Sequence, residues 1–93
     1  MTFIVEVPED AEETIDYWQL PDSLKKAFYE KLVGDLENLP PESLVHVKYP
    51  VRFATHKFVL RDDNTETEHL FFLWINDHEK PGVRIIFDAK CLY

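Results

Sequence analysis

Leu70-Phe71-Phe72-Leu73-Trp74-Ile75 is the most apolar run of the chain, and its reading decides the fold. Strand side chains alternate between the two faces of a sheet, so Phe71, Leu73 and Ile75 point one way and Leu70, Phe72 and Trp74 the other. Neither set is polar. A strand that is apolar on both faces is an inner strand and needs cover on both, with helices expected on one side and a loop, the tail or a partner on the other. The run is too short to cross a membrane.

The 93 residues around it, 45% hydrophobic and 14% aromatic, describe one domain over 1–93 with a single aromatic-rich core. The one cysteine, Cys91, excludes an internal disulfide and fits a reducing cytoplasm. Met1 to Val7 is followed at once by acids and lacks the basic and long apolar regions of a secretory signal, so a cytoplasmic protein with no membrane segment is expected.

Upstream, Thr2 to Val7 alternates with β-branched residues and predicts a first strand, closed by Pro8. Glu9 to Thr14 opens a short helix whose acids suit the positive end of the helix dipole and whose apolar stripe is Ala11, Ile15 and Trp18. Pro21 ends it. With Asp22 or Ser23 as its cap, a longer helix runs to about Asn38, and Leu24, Ala27, Phe28, Leu32 and Leu36 form one face meant for the sheet. Gly34 inside it suggests a close approach to another backbone.

After Pro41 the apolar period becomes two. Leu44 to Lys48 is a short strand, broken at Tyr49-Pro50. Val51 to Arg61 is a longer one whose apolar parity changes between Phe53 and Phe58, which predicts a turn or bulge at Ala54 to His56. A turn at Asp62 to Thr65 leads into the inner strand, and Val83 to Phe87 closes the set. The fold class is therefore α+β: an N-terminal strand, a helical hairpin, then a three- to four-stranded antiparallel meander with the helices on one face.

Net charge is -8, which argues against a generic nucleic-acid binder. The charge is unevenly spread. Seven acids and no Lys or Arg fall within residues 1–24, whereas Ser43 to Arg61 holds Lys48, Arg52, Lys57 and Arg61 with no acid. The four histidines, His46, His56, His69 and His78, never fall at ligand spacing within one helix or strand and no Cys pair accompanies them, so no metal site is expected, and no other cofactor is expected either. Glu12-Glu13 and Asp62-Asp63 sit where a helix start and a turn want acids. Arg52 and His56 share a parity, as do Lys57 and Arg61, and together with Arg84 they could present a cationic surface for phosphate. The plainer reading pairs these cations with the surplus acids.

The order of elements, with the second helix reading DSLKKAFYEKLVGDLENLP from Asp22 to Pro40 between the first strand and the meander, resembles the RelE/ParE toxin superfamily over nearly the whole length. The likeness is one of topology and hydrophobic pattern. It implies a toxin-antitoxin component: a metal-independent RNA endonuclease acting on ribosome-bound mRNA, or an inhibitor of gyrase, held by an antitoxin. By that resemblance the catalytic candidates are Arg52, Lys57, Arg61, Arg84 and Tyr93, with Lys90 beside them. The alternative is a non-catalytic, acidic protein-interaction domain whose two-faced inner strand or exposed aromatics bury against a protein partner or a second copy in a homodimer.

Overall fold

The computed structural model describes residues 2–92. The elements are β1 (Ile4–Glu6), α1 (Glu9–Tyr17), α2 (Asp22–Asn38), a single 3-10 turn (Pro41–Ser43), β2 (Val45–Val47), β3 (Phe53–Asp62), β4 (Thr67–Asn76) and β5 (Val83–Leu92). One five-stranded sheet has the order β1-β5-β4-β3-β2. The four later strands form the expected antiparallel meander. β1 then pairs parallel with β5 at the far edge, which makes the sheet mixed.

β4 is the inner strand, and its odd-numbered residues receive the helices. Phe71, Leu73 and Ile75 are fully buried, as are Phe28, Leu32 and Leu36 on α2, with Ile15 of α1 almost so. Phe28 is the hinge of this packing. Its ring lies 4.7 Å from Phe71, 5.7 Å from Phe58 and 5.6 Å, edge-on, from Trp18, so that α1, α2, β3 and β4 meet on one aromatic cluster. Ring pairs of this kind add about 0.5–1.5 kcal/mol each beyond area burial.

Local chemistry explains the boundaries. Pro8 and Pro21 occupy the residue before each helix, where a missing N–H costs nothing, and their carbonyls accept the N–H groups of Glu12 (3.0 Å) and Lys25 (2.8 Å). Neither Asp22 nor Ser23 caps α2 through its side chain, because the helix starts at Asp22, one residue earlier than an Asp22 cap requires and two earlier than a Ser23 cap does. Gln19 adopts a left-handed φ of 56° to reverse the chain between the helices, and Lys25 of α2 ties back to Asp16 of α1.

Three expectations change. β3 runs unbroken from Phe53 to Asp62, with no bulge at Ala54 to His56. The parity change arises because Val51 lies exposed outside the strand and Phe53 serves the other face of the sheet, edge-on to Phe87 at 6.0 Å. The bulge is in β5 instead, where Trp74 pairs with Asp88 but Ile75 pairs with Ile86, leaving Phe87 as the extra residue, and β5 continues to Leu92. Gly34 is exposed, and a Cβ built on it meets nothing within 4 Å, so no backbone approaches it.

Candidate binding face of the sheet

Both helices pack on one side, so the even-numbered residues of β4 face away from them. Register then places their neighbours. One row across this open face reads Val59, Leu70, Leu92, the next Lys57, Phe72, Lys90, and the next Val45, Thr55, Trp74, Asp88. Directly opposed side chains on one face have Cβ atoms about 4.5–5.5 Å apart, so Phe72 stands between two lysine stems. The Phe72 and Trp74 rings lie 4.7 Å apart. Around them Val45, Val59, Phe87 and Ile4 are about half exposed or more, at 67%, 52%, 49% and 63%. These side chains form a contiguous apolar face that no helix covers.

The face is also the less acidic side of the molecule. α1 and α2 together carry nine acids against three lysines, six of the eight net negative charges. Lys57 and Lys90 form no ion pair among the described residues, and Arg61 Nε reaches only the highly exposed Asp63, at 3.5 Å.

The histidines lie elsewhere. His56 Nε2 is 2.9 Å from Asp35 Oδ2 of α2, and His46 Nε2 is 2.7 Å from Asp77 Oδ2, each fastening the sheet to a neighbouring element. His69 stacks toward Phe71 on the covered side, and His78 is exposed in the loop before β5. The open face therefore offers the cations of Lys57, Arg61 and Lys90 and the carboxylates of Glu6, Glu68 and Asp88, the last of whose Oδ1 accepts the Ala89 N–H at 2.9 Å, while the three strand histidines lie on the covered side.

Of the cations expected on one surface, Lys57 and Arg61 share the open face with Lys90, but Arg84 does not join them. Arg84 is 1% exposed on the covered side of β5, opposite to Lys57, Arg61 and Lys90. Its Nη1 donates to the Leu36 carbonyl at 2.9 Å, in the last turn of α2, and its guanidinium lies 3.7 Å over the Phe3 ring. Cations favour helix C-termini, and this one fastens β1, β5 and α2 together. Burial pulls its pKa below the ordinary arginine value, with Asp77 acting in the other direction, and Nε is buried with no partner among the described residues. Arg52 is exposed in the segment leading into β3. Tyr93 lies outside the described residues. Sequence reading placed Lys57 and Arg61 on one face but missed the Lys57-Phe72-Lys90 row and Asp88, because that register depends on hairpin lengths and on the β5 bulge.

Among the described residues no group of three or more His, Cys, Asp or Glu side chains could hold a metal, and no helix is long and apolar enough to cross a membrane. No protein-family model matches the chain, and neither a curated protein nor a solved structure matches it significantly.

Proposed function

We propose that this protein is a RelE/ParE-like domain that works by binding a protein partner over the open face of its sheet, as a non-cleaving relative of the toxins. The observation that carries this reading is the uncovered Leu70, Phe72 and Trp74 row on the inner strand, continuous with Val59, Phe87 and Leu92. Metal-independent RNA cleavage asks for a base and an acid beside the phosphate as well as cations. The cations named for that work are divided between the two faces by Arg84, and His46 and His56 are engaged by Asp77 and Asp35 away from the open one.

The RNA endonuclease is the second reading, and the observation in its favour is the placement of Lys57 and Lys90 on either side of Phe72, with Asp88 two residues from Lys90. Controlled expression separates the two. Binding without cleavage leaves growth and mRNA intact and gives a complex, seen by sedimentation of the purified protein, that Phe72→Glu abolishes while the fold is retained. Growth arrest with mRNA cleavage that Lys57→Ala or Lys90→Ala removes would establish the endonuclease, and a monomer at micromolar concentration with no associated protein counts against the binding reading.

A further inference from the structure

β3 is ten residues long, but β2 covers only its beginning, where Phe53, Ala54 and Thr55 pair with Val47, His46 and Val45. Among the described residues no other backbone pairs with that edge, so from His56 to Asp62 the strand is bonded to β4 on one side alone. Every second residue of an antiparallel strand turns its N–H and C=O toward a given edge. The stretch is about 20 Å long and presents the donors and acceptors of an unfinished ladder.

The cause lies in the chain before β2. Continued backward as a strand, it would run beside His56 and Lys57. Instead Leu44 turns into the core, 5% exposed, and the 3-10 turn Pro41–Ser43 leads back to α2. Where the chain leaves the sheet a groove of about 460 Å³ opens, lined by Ser43, Val45, Thr55, His56, Lys57 and Phe72.

We propose that this edge accepts an extended segment of a partner protein as an added strand, antiparallel to β3 and in line with β2, with acidic side chains facing Lys57 and Arg61 and an apolar one facing Val59. Charge decides the occupant. The open-face side chains along the free edge are Lys57, Val59 and Arg61, all exposed, and cations on an edge guard it against pairing with another copy, with Asp63 3.5 Å from Arg61 and Glu68 opposite it on β4 offsetting only that end. If two copies paired antiparallel about Val59, Lys57 of each would stand opposite Arg61 of the other, and like charges directly opposed destabilise a sheet. The same two cations favour a strand whose acids stand four residues apart with an apolar residue midway. Main-chain bonds then supply the affinity and the alternate side chains the selection. This edge differs from the apolar face, and its occupancy does not depend on what covers Phe72 and Trp74.

The test uses the whole protein, isotope-labelled, and a short capped peptide in which threonines alternate with glutamate, valine and glutamate. The expected result is chemical-shift change and slowed amide exchange confined to 56–62 and the groove, with affinity weakened about tenfold by the Lys57→Glu/Arg61→Glu pair. A peptide with lysines in place of the glutamates reverses the order, binding the double variant better than the natural protein. Should the double variant fail to fold, the two peptides compared on the natural protein still decide the matter. Equal binding of both peptides, no binding at millimolar concentration, shifts centred on Trp74, Phe87 and Leu92 away from the edge, or concentration-dependent self-association through 56–62 without peptide would each overturn the proposal.

Discussion

The two faces of β4 differ by one residue of register and by almost everything else. Phe71, Leu73 and Ile75 are fully buried beneath two helices, whereas Leu70, Phe72 and Trp74 are equally apolar and only partly covered by their own neighbours. Composition alone does not distinguish them. The difference teaches that hydrophobicity on one side of this strand is spent on folding, while on the other an equally apolar set is left without a helix over it. Phe71→Ala removes a ring touching Phe28, Phe58 and Trp18 and should cost about 3–5 kcal/mol of stability. Phe72→Ala should cost under about 1 kcal/mol, as for a surface substitution. Urea denaturation of both variants checks the contrast, and equal losses would mean that the open face is packed as tightly as the covered one.

The covered half of this architecture was legible in the sequence because helical and strand periodicities both register burial against a single core. The stripe Leu24, Phe28, Leu32 and Leu36 is the buried set of α2, and the alternation around Phe71 is that of β4. Parity is ambiguous where an apolar residue serves the open face, as Phe53 does, so the pattern points to a bulge in β3 although the extra residue is Phe87 of β5. The parallel pairing of β1 with β5 joins the two ends of the chain, so no local pattern could announce it. Arg84 shows the same limit at the site. A cation on a strand reads as surface, and only the approach of Leu36 and Phe3 reveals it as a buried fastener.

Arg84 is the exception that sharpens the comparison, since it places a charge on the apolar side. Arg84→Ala loses the bond to Leu36, the stacking on Phe3 and the packing of a long stem, and should destabilise by about 2–4 kcal/mol. Arg84→Met keeps the stem and removes both the charge and the unpartnered Nε, so it should recover most of that loss, as apolar replacements of buried ions often do. Partner binding by the folded Met variant should equal that of the natural protein. A stable Met variant that loses function would instead give Arg84 a role beyond fastening the fold.

The smallest effect follows from water being kept from the covered side. Burial pushes the Cys91 thiol of β5 above its ordinary value of 9.0, and burial, aided by Asp16 and Glu12, pushes the Tyr29 hydroxyl of α2 above 10.0. Both groups are neutral when protonated, so above these values the unfolded chain gives up protons that the folded chain retains. Stability depends on pH according to the difference in protons bound, and here the native state binds more, so stability must fall as pH rises. It is fully present below pH 9.0 and declines from there through the raised folded values. Lys25, whose pKa is raised first of all by its bond to Asp16, adds the same sign above 10.5. Denaturation midpoints taken from pH 8 to 11 should therefore decline, and Cys91→Ala with Tyr29→Phe should flatten the decline except for the part belonging to Lys25. The open-face variant Phe72→Ala should leave the slope unchanged, and a slope that moves with it would show that the two faces do not control solvent access separately.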